Sequence, residues 1–460
     1  MVANLCMLAA MTAAVVLCSF VASLIPGRPV PEVVFFVVAG VILGPGCLGV
    51  VNATPGLDLV GRLGMGLLFL MAGYELDPRE LTGSMGRHAT LCWAVSFGAA
   101  LLLTPALGLG LDQTGVAAFS IALTTTAYGT LVPIMRDREL GGTSVGEVIE
   151  SYGAMGEILP VVAMSVLLSP SRSLGANVAV LVGFVAFCVF VASRGRWAAE
   201  MGSRLSRFLH ENAESSSQPT LRAVMALLCA LLAIAAVLDL DAVLAAFAAG
   251  FILRHVTPAE HGHRLMDKVE ALGNGLFVPV FFVYSGIGIE LAVVGERPGL
   301  LVGFVALLLL IRALPLLASL ALAPETRTMP LGEKISASLY CTMALPLIVA
   351  LTEAAAACGA MDEQMASVLV CAGALTVLVI PIITSLSVRA VAAHPVDAVH
   401  EVMEHPHDLR EIVHEHHVHA HEVAEELREE RRHLHEEGVQ LSSADFLARR
   451  AELRRRHRHR

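Results

Sequence analysis

The sequence predicts an all-α protein that crosses a membrane about thirteen times. Three observations carry that prediction. Of its 460 residues 56% are hydrophobic and 16% charged, and a mean hydropathy of +0.70 lies far from the soluble range. The apolar residues fall in runs long enough to span a bilayer. Matching fragments also recur in the same order about 210 residues apart, which marks an internal duplication.

The predicted spans are 5–25, 30–51, 57–76, 88–109, 115–135, 145–169, 174–193, 221–238, 241–254, 269–291, 299–322, 335–357 and 364–386. The opening stretch MVANLCMLAAMTAAVVLCSFVASLI has no basic start, and its apolar run is too long for a signal peptide. An uncleaved first helix is therefore expected. Loop charge sets the direction. With the N-terminus outside, the inner loops hold most of the basic residues, among them Arg79, Arg87, Arg136, Arg138, Arg264, Lys268, Arg327 and Lys334, against only Arg62, Arg172 and Arg297 outside. This reading gives a multi-pass protein of the cell membrane, in contact with lipid, whose C-terminal tail is cytoplasmic. The nine cysteines form no CxxC pair, so neither a disulfide framework nor a zinc ribbon is indicated. No enzymatic chemistry, cofactor or nucleic-acid partner is expected.

The duplication is read from three matches. AGVILGP at Ala39 returns as AGFILRH at Ala249, LGMGLLF at Leu63 as LGNGLFV at Leu272, and AYGTLVP at Ala127 as LYCTMALP at Leu339, at offsets of 210, 209 and 212. Spans 2–6 (repeat 1, about 30–169) thus return as spans 9–13 (repeat 2, about 241–386), joined by linker helices over 174–238. Each unit has an odd number of spans and the linker an even number, so the second unit enters from the opposite face. This is the inverted-topology build of many secondary transporters. Spans 5 and 12 are unusual for membrane helices. LTTTAYGTLVP (123–133) and SLYCTMALP (338–346) combine threonine, tyrosine and proline. Proline frees the carbonyl four residues back, and paired interrupted helices in the two halves point to a binding site.

Two charges fall deep in apolar runs. Glu157 lies twelve residues into span 6, roughly 18 Å deep at ~1.5 Å per residue. Arg312, in LLLLIRALPLL, lies at a similar depth in span 11. A mid-membrane charge costs at least ~2.5 kcal/mol and faces protein or water. One reading of the two is a structural Glu–Arg pair; the other is a titratable ion site with a fixed positive charge nearby. Pro160 cannot bond the Gly156 carbonyl, which leaves that oxygen open, and Gly156 permits close backbone approach. Glu150 shares the helical stripe of Glu157, as the lining of an inner funnel or, with Glu147, as the solvated start of the helix. Burial and a nearby arginine act in opposite senses on a carboxyl, so one group can alternate between a proton and a cation.

These residues resemble the Na⁺/H⁺-exchanger domain of the bacterial cation:proton antiporter-2 family. The segments that carry the resemblance are VVAGVILGPGCLGVV (37–51), LGMGLLFLMAGYELDPREL (63–81), ALTTTAYGTLVPIMRDREL (122–140), YGAMGEILPVVAMSVLLS (152–169) and FVPVFFVYSGIGIE (277–290). The resemblance covers roughly residues 5–390. It implies a thirteen-helix antiporter-like fold in which one domain forms a homodimer, while a core domain with two crossed, broken helices carries the ion in an elevator motion. It implies exchange of a monovalent cation, Na⁺ or K⁺, for H⁺. Glu157 stands where the family has its essential aspartate. Thr125, Thr126 and Thr130 fall in the first broken helix, Tyr340 and Thr342 in the second, and Arg312 takes the place of the basic residue opposite the carboxylate. Many relatives have Asp-Asp or Asn-Asp where this chain has Gly156-Glu157, which leaves one carboxylate to titrate and favours one-for-one, electroneutral exchange. The Arg-Gly-Glu that some relatives carry in the twelfth span is absent. No Gly-rich nucleotide-binding domain follows the membrane part, unlike the potassium-efflux members.

Two domains are therefore expected: the exchanger domain over 1–390, and a charged His-rich tail over 391–460, partly helical or disordered. Thirteen of the 18 histidines lie in the tail. On a helix His414, His417 and His421 share a face, and the last two have an i,i+4 spacing that metals use; alternatively the tail senses pH or is a solvated segment. Two other functions compete with exchange: an organic-anion transporter on the same scaffold, which should lack a central carboxylate, and a membrane pH or metal sensor that signals through the tail.

Overall fold

Long apolar runs, several of them opened by a threonine, aspartate or proline, fold as helices in this chain. The computed structural model describes residues 2–24, 31–76, 83–138, 140–168, 173–200, 218–257, 259–289, 295–296 and 298–392. Among these residues all regular structure is helical. A helix occupies each of the thirteen predicted stretches. Ten stretches are long and apolar enough to cross a membrane; two shorter apolar helices occupy the predicted second and ninth spans.

The first half comprises α1 (Val2–Leu24), α2 (Glu32–Leu43), α3 (Pro55–Glu75), α4 (Ser84–Leu103), α5 (Gln113–Thr124), α6 (Tyr128–Asp137), α7 (Ser144–Val148) and α8 (Ala154–Leu167). Helices α9 (Leu174–Glu200) and α10 (Pro219–Val237) lead to the second half. It comprises α11 (Ala242–Val256), α12 (Ala259–Leu272), α13 (Val278–Ile287), α14 (Pro298–Leu308), α15 (Leu314–Leu322), α16 (Leu331–Tyr340), α17 (Leu345–Ala357) and α18 (Glu363–Ala392). Local chemistry sets the starts. Side chains of Thr54, Asp112, Thr143 and Asp241 accept the N–H of Leu57, Gly115, Gly146 and Val243 and so cap α3, α5, α7 and α11, satisfying donors that a helix start leaves open.

The contacts separate two groups of helices. In one, α3 packs on α11 and α2 on α13, with α1, α10 and α12 around them; in the other, α4, α5, α8 and α14–α18 pack together. The first group is locked by glycine. A Cβ on Gly40 would strike the Val283 carbonyl and the Gly286 Cα, and one on Gly286 would strike the Val37 carbonyl. At the other crossing, a Cβ on Gly250 would strike the Leu70 carbonyl, and one on Gly73 the Phe247 carbonyl. Gly40 and Gly250 are 210 residues apart, and Gly73 and Gly286 are 213 apart. The first helix of each repeat thus crosses the second helix of the other by the same backbone contact. Where lipid removes the hydrophobic drive, such small-residue contacts are what holds helices together. This reciprocal crossing is the inverted repeat in atomic form.

Candidate functional site

In the second group both predicted interrupted helices break, and their breaks meet. Helix α5 ends at Thr124 and the chain runs extended through Thr125, with ψ of 151°, before α6 begins at Tyr128. Threonine supplies what the break removes. The Thr124 hydroxyl donates to the Ser120 and Ile121 carbonyls, and the Thr125 hydroxyl to the Ala122 carbonyl over 3.0 Å. Backbone groups freed at membrane depth need such partners. The other break runs from Cys341 to Ala344, between α16 and α17. There the Thr342 hydroxyl donates to the Leu339 carbonyl over 2.6 Å. The Ala127 N–H of the first break donates to the Met343 carbonyl of the second over 2.7 Å.

The paired motifs do not superpose as the sequence match proposed. In the first break Tyr128 follows the unwound segment, whereas in the second Tyr340 precedes it. Thr130 and Thr342 are accordingly not equivalent positions. The predicted prolines mark the breaks only loosely: Pro133 lies within α6, and Pro346 opens α17.

Helix α8 binds the crossing from the side. Pro160 lies inside α8 and carries no N–H, so the Gly156 carbonyl lacks its helical partner. That carbonyl was expected to stand open toward the site. It is taken instead by the Thr126 N–H over 2.8 Å. The bond ties α8 to the first break.

Arg312 completes the junction. It lies in a π-helical turn, Leu309–Ala313, between α14 and α15, and is wholly buried. Its Nε and Nη2 donate to the Thr126 hydroxyl oxygen over 3.1 and 2.9 Å, and Nη2 also donates to the Tyr152 carbonyl over 2.9 Å. Tyr152 itself sits in a second π-helical turn, Ile149–Gly153, between α7 and α8. Such turns are rare and recur at functional positions. The Thr126 hydroxyl in turn donates to the Cys341 carbonyl. One threonine therefore joins both breaks to the guanidinium.

Glu157 faces the other way. It is 2% exposed. Its carboxylate lies against the backbone N–H groups of Gly129 and Tyr128, at the start of α6, where the helix dipole favours negative charge. Its Oε2 has no hydrogen-bond partner. Of the two readings of Glu157 and Arg312, the direct pair is not seen: no nitrogen of Arg312 comes within 4.0 Å of a Glu157 oxygen, whereas Arg62–Asp58 and His88–Glu325 do pair. The arginine is turned toward Thr126 and Tyr152, whose oxygens accept from Nε and Nη2 across Gly156, while Nη1 is buried with no hydrogen-bond partner. Glu75, at the end of α3, is near enough for its charge to act on Glu157, and a Cβ on Gly129 would touch Ala72 one turn earlier on that helix. Sequence reading missed Glu75, although it lies within the quoted segment LGMGLLFLMAGYELDPREL.

The other predicted residues scatter around this centre. Thr125 and Thr342 are wholly buried and Tyr340 is 4% exposed. The hydroxyls of Thr125, Thr130 and Thr342 each bond a carbonyl of their own segment. Glu150 is half-buried in the π-helical turn that precedes α8. His414, His417 and His421 lie outside the described residues.

Comparison with known proteins agrees with this architecture. The family model for the transmembrane sodium/hydrogen exchanger matches residues 10–390. The chain is 26% identical over 293 residues to cation/H(+) antiporter 18 of Arabidopsis thaliana, an alignment that covers 59% of this chain and 36% of that one. It is also 26% identical over 283 residues to the Na(+)/H(+)-K(+) antiporter GerN of Bacillus cereus, covering 58% of this chain and 67% of that protein. The chain thus spans about a third of the length of the plant relative. In structure it is similar to the sodium proton antiporter MjNhaP1 from Methanocaldococcus jannaschii, with a TM-score of 0.56 at 16% identity over 82% of this chain and 95% of that one. The resemblance carried by the quoted segments therefore holds at the level of fold and family: the chain belongs to the transmembrane sodium/hydrogen exchanger family.

Proposed function

We propose that this protein exchanges a monovalent cation, Na⁺ or K⁺, for H⁺ across the cell membrane, with both ions competing for Glu157. One observation carries the reading. Glu157 is a buried carboxylate set at the N-terminus of a half-helix beside two crossed breaks, with one oxygen unpartnered. A group so placed holds a proton or a cation, and mutual exclusion between the two suffices for obligatory exchange. The relatives' names, which include a Na(+)/H(+)-K(+) antiporter, support the same substrate class.

The single carboxylate on α8, with glycine beside it, favours one-for-one exchange. Thr126 acts as the joint of the crossing rather than as a cation ligand, and Glu150 lines the approach from the cytoplasm. We place the N-terminus outside and the tail inside from the loop charges, and take a homodimer and an elevator motion from the family resemblance. The central carboxylate speaks against an organic anion as cargo.

The test is a pH-dye assay in proteoliposomes challenged in turn with Na⁺, K⁺ and Li⁺. The wild-type chain is expected to move protons against at least one of them, and Glu157→Gln to move none. A Gln variant with wild-type exchange defeats the mechanism. Removal of the tail after residue 393 is expected to leave basal exchange; its complete loss in folded protein would favour the sensor.

A further inference from the structure

We infer that Gly156 is a positioning residue: by carrying no side chain it seats the Arg312 guanidinium, and that seat holds the crossing on which exchange depends. The functional half of this inference rests on the exchange reading above. A Cβ on Gly156 would overlap Nη2 of Arg312 and the Cβ and Oγ1 of Thr126. Those atoms cannot easily retreat. Nη2 is pinned by Thr126 and the Tyr152 carbonyl, Nε by Thr126, and the Thr126 hydroxyl by the Cys341 carbonyl. Arg312 and Thr126 are both fully buried, so a displaced guanidinium meets packed protein rather than water.

Neither half of Gly156 is left to hold a cation. Its carbonyl is engaged by the Thr126 N–H, and the place of a side chain is filled by the guanidinium. A side chain at 156 and Arg312 in its seat are therefore mutually exclusive. A chain with a polar residue at this position would present that residue at the crossing; this chain presents a permanent positive charge. The choice at 156 thus decides, through position 312, whether the guanidinium joins the two breaks at the crossing. The signature of such a mechanism is coupling: enlarging residue 156 costs less once the arginine is no longer there to be displaced, the contact with Thr126 remaining.

The experiment compares wild type, Gly156→Ala, Arg312→Ala and the double variant, each purified and reconstituted. Gly156→Ala is expected to slow exchange by roughly tenfold or more, since overpacking a filled site forces rearrangement. Arg312→Ala is expected to slow it as well. The double variant is expected to lose less than the two single losses combined, and Tm in detergent is expected to follow the same pattern. Additive losses of rate and Tm would overturn the inference by making Gly156 an ordinary packing position. If Gly156→Ala yields no folded protein, Arg312→Ala on that background must restore it, and failure to do so overturns the inference too. The Tm comparison needs no transport. A wild-type chain that exchanges nothing would defeat the proposed function while this coupling is still decided.

Discussion

The Thr126 N–H donates to the Gly156 carbonyl over 2.8 Å, and Pro160 is the reason that carbonyl has room for it. A helix interior normally spends each carbonyl on the N–H four residues on. Proline at 160 withholds that N–H, and the N–H of Thr126, in the unwound segment, takes the place. The break in one helix and the proline in its neighbour thus form a single joint.

Pro160→Ala tests that joint. Alanine restores an N–H that competes with Thr126 for the Gly156 oxygen, and it also removes the cost of proline in a helix interior. The fold is expected to survive, with Tm equal to or above wild type, while exchange slows because α8 no longer grips the break. Tm and proteoliposome rate measured together decide it. Exchange as fast as wild type would show that the joint does not matter to transport.

Thr126→Val tests the keystone hydroxyl. Valine keeps the shape but removes the acceptor for Nε and Nη2 of Arg312 and the donor to the Cys341 carbonyl. Loss of a hydroxyl that accepts from a buried cation costs about 1.5–3 kcal/mol. Thr126→Ser retains the hydroxyl and is expected to cost about 1 kcal/mol, the loss of one buried methyl. Thr125→Val is the control: its hydroxyl serves only the Ala122 carbonyl, and such a bond contributes about 1 kcal/mol. Equal losses of Tm in the two valine variants would remove Thr126 from its central role.

The contrast between these threonines shows how far the sequence could be read. Glu157 and Arg312 were legible because charge in a long apolar run has few explanations, and the repeat was legible because its fragments keep their order and spacing. The breaks were legible as threonine- and proline-rich segments. Their register was not: Tyr128 and Tyr340 align by letter yet lie on opposite sides of their breaks, since local similarity does not say where the chain unwinds. Direction was also hidden. Arg312 turns toward Thr126 and Tyr152, where oxygens across Gly156 accept from Nε and Nη2, and that requires knowing which helices touch.

The glycine crossings give a prediction with an internal control. Gly40→Ala and Gly250→Ala each place a Cβ against backbone, at the Val283 and Leu70 carbonyls, and a carbonyl in a packed helix cannot swing aside. Each is expected to lower stability by about 1–3 kcal/mol or more. Gly98 and Gly303 lie in helices with open space at the same point, and alanine there is expected to be neutral or stabilising by up to about 1 kcal/mol. Because the two crossings are related by the repeat, Gly40→Ala and Gly250→Ala should lower Tm to a similar degree. A drop in only one would mean that the repeat's symmetry does not extend to its energetics.

Outside the membrane-spanning helices, Glu325 gives a pH prediction with a definite sign. It sits in a short 3₁₀ turn, Pro324–Thr326, between α15 and α16, with His88 Nδ1 of α4 at 3.5 Å from its Oε2. Its own backbone N–H, the Ser84 hydroxyl and then the charges of His88 and Arg87 hold its carboxyl below the ordinary value of 4.5. A carboxyl held below its unfolded value stabilises the folded state above that value, and the stabilisation is lost as pH falls through the lowered one. Glu325→Gln cannot titrate. Wild type is therefore expected to melt above Glu325→Gln while the carboxyl is ionised, with the gap closing as pH falls below the ordinary carboxylate range. Scanning fluorimetry on both proteins from neutral pH down to about pH 3 reads the gap directly. A gap that is undiminished at about pH 3 would mean that the protonated carboxyl, not the carboxylate, ties α4 to the turn before α16, and would reverse the assignment.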